Sequence, residues 1–267
     1  VPKQAAAPAA AVAPLEPPSF VEHVLLVRDS EYEHPEVKVS VGDAVVYDGR
    51  YAHDSDVDLS EWLRPGDNRL TLEVIELKSP APIELRVMAS ARYHRAGQRE
   101  TSFDERWKIE GMPFERSFDL DVKEAPPDCA FFEQAEVIDD SPATQAAARE
   151  VAKALHAAHA RGDDGAVQEL TEYARADAAR CRHLESKPPV DRNDIKESSW
   201  YREDEGALKV EPLSGQPLAV SLVAGGRAYM VGDGDAPLLR GRDGDGRRVS
   251  RRVFVGRVDG QWKVVRE

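Results

Sequence analysis

The sequence predicts two units: an all-β antiparallel sandwich, then an α+β unit with helices packed on a curved antiparallel sheet. Three observations carry this. Val37, Val39 and Val41 alternate with Lys38 and Ser40, and Leu70, Leu72 and Val74 alternate with Thr71 and Glu73. A period of two with one polar face describes half-buried antiparallel strands. After residue 141 the apolar spacing lengthens to that of a helix pair. From residue 218 onward, short apolar runs return, separated by Gly-Gly, Asp-Gly and Gly-Asp turns.

The chain has 267 residues, enough for two hydrophobic cores. It is 41% hydrophobic and 32% charged, the balance of a globular protein rather than a disordered one. The net charge of −13 argues against nucleic acid as a partner, because phosphate binding needs clustered Lys and Arg. An ordinary acidic, solvated surface is the first explanation of that charge, and a basic partner the second. Two cysteines, Cys129 and Cys181, are too few for a cysteine-ligated zinc site. They allow one disulfide or two free thiols.

Residues 1–18 are almost all Ala, Pro and Val. Pro8, Pro14, Pro17 and Pro18 interrupt every apolar run, so the segment is read as an extended, disordered tether, not as a membrane span. Such a tether behind a first residue that is Val rather than Met leads to the expectation of an exported protein, periplasmic or membrane-tethered, whose signal or anchor has been removed. A cytoplasmic location stays open.

Residues 19–124 form the expected sandwich. Strands are predicted at 23–27, 37–41, 45–47, 70–75, 83–93, 103–109 and 118–122. Gly42-Asp43 and Pro65-Gly66-Asp67-Asn68 supply the turns between them. Residues 95–101 read as a polar loop, and Trp62 and Leu63 as a plug for the end of the sheets. Glu124-Ala125-Pro126-Pro127 breaks the pattern, and 125–140 is expected to be a linker.

Residues 141–267 form the α+β unit. Ser141-Pro142 has an N-cap followed by Pro at the first helical position, and Gly162 ends that helix. Ala147, Val151, Leu155 and Ala158 are predicted to share its buried face. A second helix starts near Asp163 with Val167, Leu170, Ala174, Ala178 and Cys181 on one face. Residues 187–204 read as a loop. Hairpins are predicted across Gly225-Gly226, across 243–246 and across Asp259-Gly260, with one strand running through 249–258.

The stretch Val37 to Val46, followed by Val57 to Val74 with its Asp58-Leu59-Ser60-Glu61-Trp62-Leu63 and Arg64-Pro65-Gly66-Asp67-Asn68 segments, resembles the galactose-binding-like β-sandwich of many glycosidases. Gly42-Asp43 stands where that family has an Asn-Gly turn. The matched motif encodes strand pairing rather than ligand contacts. The helix end at Ala154 to Asp163 and the closing hairpin at Val253 to Val265 resemble the NTF2-like (SnoaL-like) fold. Enzymes of that family carry an inward Asp or His. No such acid is expected on the C-terminal strands here, so no catalytic residue follows from the resemblance.

Each candidate chemical group has a plainer explanation. Asp54, Asp56 and Asp58 alternate beside His53 and offer oxygen ligands, but no calcium-loop spacing follows, so turn capping is preferred. Hairpin turns account for Asp233, Asp235, Asp243 and Asp245. His156 and His159 stand three apart on a helix, allow joint metal ligation, and are expected to be exposed and solvated. Tyr51, Trp62, Tyr173, Trp200 and Tyr229 are the candidate ligand-binding residues, as a stacking platform or pocket lining; core packing competes with that reading. No G-x-S-x-G, Walker loop, GxGxxG or H-E-x-x-H occurs. The expected function is therefore non-enzymatic, with no cofactor and no metal. It is recognition of a protein partner at the bacterial envelope, for example as an immunity or secretion-system accessory protein. A carbohydrate-binding module and a small-molecule enzyme of the NTF2-like class are the alternatives.

Overall fold

The computed structural model describes residues 21–29, 35–50, 57–77, 82–93, 98–122, 131–181, 208–242 and 248–267. These residues form mostly antiparallel β-sheet with a few helices.

The first eight strands are β1 (Val21–Asp29), β2 (Glu36–Val41), β3 (Ala44–Arg50), β4 (Val57–Asp58), β5 (Gly66–Glu76), β6 (Ile83–Tyr93), β7 (Gln98–Ile109) and β8 (Phe114–Val122). They make two four-stranded sheets, ordered β4-β1-β6-β7 and β3-β2-β5-β8. The period-two pattern sets the register. Val37, Val39 and Val41 on β2 stand opposite Val74, Leu72 and Leu70 on β5. Their side chains join Leu25, Leu85, Val87, Trp107 and Phe118 in one cluster drawn from both sheets. Fully burying each such side chain contributes roughly 1.5–3 kcal/mol. Phe103 stacks on Phe118 at 4.0 Å, with the Trp107 ring 5.8 Å from Phe118. These contacts join β7 of one sheet to β8 of the other.

Two local features differ from the sequence expectation. Strand β7 begins at Gln98, not at 103. Its register shifts where Ala89 faces Phe103 and Ser90 faces Thr101, leaving Ser102 as the extra residue, with its hydroxyl donating to the Ala89 carbonyl. A bulge breaks strict alternation, so the polar stretch looks like a loop in sequence. Asn68 is not simply a turn residue. It is buried, accepts from the Arg64 N–H, and donates to the Arg64 and Gly66 carbonyls.

Next come α1 (Phe131–Gln134), α2 (Pro142–Arg161) and α3 (Asp164–Cys181). α1 falls in the expected linker, yet Phe131 is fully buried and Ala135 bridges to Val258. α2 starts as predicted. Ser141 is the N-cap, Thr144 closes a reciprocal capping box, and Gly162 caps the end with φ of 64°. Of the expected face, Leu155 and Ala158 are fully buried and Val151 is half-buried, but Ala148, Ala152 and His156 are buried beside them. With so many alanines the helix buries a wider face than one stripe, and packing against the sheet sets its width. On α3, Thr171, Ala174 and Asp177 are buried, while Val167 and Leu170 are half-buried.

The remaining strands are β9 (Lys209–Val210), β10 (Ala219–Val223), β11 (Ala228–Asp233), β12 (Ala236–Pro237), β13 (Leu239–Arg242), β14 (Arg248–Arg251), β15 (Val253–Val258) and β16 (Gln261–Arg266). One sheet runs β10-β11-β15-β16, with β12 on β11; the other runs β14-β13-β9. The strand expected through 249–258 is therefore two. It breaks at Arg252, whose guanidinium pairs with Asp48 on β3. That break lets the chain pass from one sheet to the next. α2 and α3 cover the first sheet, where Leu155 and Ala174 pack with Tyr229, Val231, Val253, Val255 and Val264.

A third hydrophobic cluster joins the early and late strands. Ala44 and Trp62 meet Phe131, Ala135, Val223, Ala224, Ala228, Phe254, Val258 and Val265. Beside it, Arg266 is 2% exposed and pairs with Asp177 at 2.7 Å and Glu61 at 3.2 Å.

Candidate functional site

The described candidate aromatics do not assemble into one pocket. Tyr51 and Trp200 lie outside the described residues. Trp62 is buried, with its ring 4.6 Å from that of Phe254, and only its margin reaches an open cleft. Tyr173 is half-buried and donates to Gln134. Tyr229 is fully buried; its hydroxyl bonds to Thr144 and Asp140, and Trp262 stacks on it at 6.3 Å. Trp62 and Tyr229 therefore act as core aromatics, and the polar end of Tyr229 is satisfied.

The titratable candidates separate in the same way. His53, Asp54, Asp56, Asp243 and Asp245 fall outside the described residues, as does Cys129. The side chain of Cys181 does so too. Asp58 accepts from the Ser60 N–H, which is turn capping. One expectation is corrected and another extended. His156 is not solvated: it is 7% exposed, with Nε2 bonded to the Glu211 carbonyl. The alanine-rich helix hid this, because its buried face is wider than the expected stripe and takes in His156. Asp233 closes a hairpin as expected, facing Ala236 across Gly234-Asp235, but its side chain does more than cap a turn. It is buried at the end of β11, accepts from the Ser214 N–H at 2.9 Å and Ser214 Oγ at 2.5 Å, and pairs with Arg240 at 3.0 Å. The Ser214 hydrogen bonds hold its carboxyl below the usual aspartate range, with help from Arg240 and against burial. His159 is pushed down by burial, then by Arg251 and His156. Among the described residues no cluster of three His, Cys, Asp or Glu is placed to hold a metal ion.

The open cleft lies at the seam between the early and late strands and has a volume of about 390 Å³. One wall is the β2–β3 turn, with Gly42, Asp43 and Ala44. Another is the approach to β5, with Trp62, Arg64, Asp67 and Arg69. Phe132 of α1 and Ala224-Gly225 of the β10–β11 turn complete it. The sequence builds these walls from turns. Gly42 has φ of 59°, Gly66 87°, Gly225 64° and Gly226 80°. Ala224 also has a positive φ, 57°, which costs an L-residue roughly 1–2 kcal/mol. Its N–H donates to Asp43 Oδ1 at 2.7 Å, so a carboxylate from the opposite wall holds the strained residue.

The charges in and beside the cleft are unequally satisfied. Arg69 is paired with Asp119 at 3.0 Å. Arg64 lays its guanidinium on the Phe132 ring, 4.0 Å from the centroid. Arg227 donates its Nε–H to the Phe132 carbonyl at 3.1 Å. Neither Arg64 nor Arg227 has a carboxylate within ion-pair distance among the described residues. A Cβ placed on Gly225 would stand 3.7 Å from one nitrogen of Arg64 and 3.9 Å from one of Arg227, so the two guanidinia converge over that glycine. Burial, then the neighbouring Arg227, lowers the Arg64 pKa, with Asp43 acting in the opposite direction. Val137, 69% exposed, lies beside Gly226 at the edge of this region.

Sequence reasoning did not find Arg64 or Arg227. Each adjoins a glycine turn, Pro65-Gly66 or Gly225-Gly226, which marks an exposed arm. No local signal pairs arms that lie so far apart in the chain. Comparison with family models, with curated proteins and with solved structures gave no match.

Proposed function

We propose that this chain is a non-enzymatic interaction protein of the bacterial envelope that recognises a protein partner through the seam cleft. In this reading residues 19–124 are a galactose-binding-like sandwich, 125–140 a linker and 141–267 an NTF2-like α+β unit, with 1–18 as a tether for an exported protein. An immunity or secretion-system accessory role is an instance of it. The observation that carries the reading is the cleft itself. It is open, walled by turns from the early and the late strands, and lined by Arg64, with Arg227 converging on Gly225 at its edge and the exposed Val137 near the adjoining Gly226. An apolar anchor next to a few fixed polar groups is the anatomy of a protein-recognition patch. Among the described residues no helix is long and apolar enough to cross a membrane.

The test is capture of a partner from extract of the source cell. The intact protein is expected to retain one protein stoichiometrically. Asp67 is exposed on the cleft wall, so Asp67→Trp fills the cleft without entering the core, and it is expected to abolish that capture. Retention of polysaccharide alone, or capture unaffected by Asp67→Trp, refutes the reading.

A further inference from the structure

The chain carries a net charge of −13, and several of its arginines are held by carboxylates: Arg69 by Asp119, Arg240 by Asp233, Arg252 by Asp48, and Arg266 by Asp177 and Glu61. Arg149 instead spends its donors on the Leu218 carbonyl and the Gln145 side chain. Arg64 and Arg227 are instead held against Phe132, one by its ring and one by its carbonyl. Those contacts fix the planes of the guanidinia while leaving their outer N–H groups unused. Like charges brought together and partly desolvated repel each other, and an anion between them reverses the sign of the interaction. The N–H of Gly225, exposed at the same spot, bonds to nothing among the described residues and adds a neutral donor. Asp43 stands close by, but one of its oxygens is already committed to the Ala224 N–H.

We infer that Arg64 and Arg227 form a carboxylate clamp at the seam, which takes an acidic side chain or a chain-terminal carboxylate of the partner over Gly225. This rests on the protein-recognition reading above and names the group recognised. Planar guanidinia suit a planar carboxylate, because two parallel N–H···O bonds match its two oxygens. The overall negative charge works against long-range attraction of an acidic partner. Recognition is then short-range, and selects a single carboxylate over an acidic surface.

The experiment uses the full chain labelled with ¹⁵N and titrated with sodium acetate at constant ionic strength. Saturable shifts are expected in the Gly225 amide and in the Nε–H signals of Arg64 and Arg227. Arg64→Gln and Arg227→Gln are each expected to weaken acetate binding by about tenfold to a hundredfold, the worth of a charge-assisted hydrogen bond. Arg64→Lys keeps the charge and loses the fork, so it should fall between. Two peptides distinguish the sources of the carboxylate. One is blocked at both ends with a central Glu; the other is a glycine peptide with a free C-terminus. The peptide that reproduces the acetate shifts identifies the source. Absent or unsaturable shifts, shifts that survive in the Gln variants, binding of inorganic phosphate in place of acetate, or binding of neither peptide each overturns the clamp. Partner capture separates this failure from failure of the wider reading. Loss with Asp67→Trp but not with the double Gln variant sinks only the clamp; retention in both sinks the recognition reading as well.

Discussion

Replacing Arg266 with Met tests how firmly the late strands are held to the rest of the chain. Arg266 ends β16 and is 2% exposed. Its guanidinium pairs with Asp177 of α3 at 2.7 Å and with Glu61 at 3.2 Å, and lies 5.1 Å from the Phe131 ring centroid. Asp177 is fully buried. Met fills much of the same volume without charge, so the chief effect is to take the Arg266 cation away from the buried Asp177 carboxylate. Breaking a buried pair by removing one partner costs about 3–5 kcal/mol. Against a total stability of roughly 5–15 kcal/mol, that is a large fraction. For a protein of this size it corresponds to a fall in Tm of roughly 6–20 °C. Calorimetry and urea unfolding read the change. Arg266→Met combined with Asp177→Leu removes both charges and is expected to recover most of the loss, because the desolvation cost disappears with the pair. A single variant that loses under about 1 kcal/mol, or a double variant no better than the single, would falsify the assignment of this pair as a buried, mutually dependent contact.

Two further outcomes follow from the same structure. A Cβ on Gly241 would stand 2.0 Å from the Lys209 carbonyl oxygen, a backbone atom that cannot swing aside, so Gly241→Ala should detach β9 from β13 and raise hydrogen exchange at Val210 and Gly241 by about tenfold or more, whereas unchanged protection would contradict the close approach. The Asp233 carboxyl is held below its ordinary value, so its contribution to stability is present above about pH 4 and is lost as pH falls through the folded pKa. Asp233→Asn should destabilise by about 1–3 kcal/mol at neutral pH and flatten the acid limb of the stability profile; an acid limb identical to that of the parent would count against it.

Several elements were legible in the chain because their signals are local. Val37, Val39 and Val41 facing Val74, Leu72 and Leu70 follow from alternation, since a slip of one residue would turn every valine to solvent. Ser141 and Gly162 bound α2 because capping uses only neighbouring backbone groups. The failures are equally physical. Ser102 breaks alternation without ending β7, Arg252 divides what reads as one strand, and an alanine-rich helix buries a wider face than one stripe predicts.

The amino-acid sequence alone determined which segments extend, which coil, and where the chain turns. The tertiary structure decided which charges are neutralised. Arg266 reaches Glu61 across 205 residues, and Arg64 and Arg227 come together only when a turn from each end of the chain closes on Phe132. Strand and cap preferences act over a few residues. A guanidinium finds its partner, or is left without one, according to which distant surfaces pack together, and no spacing along the chain encodes that.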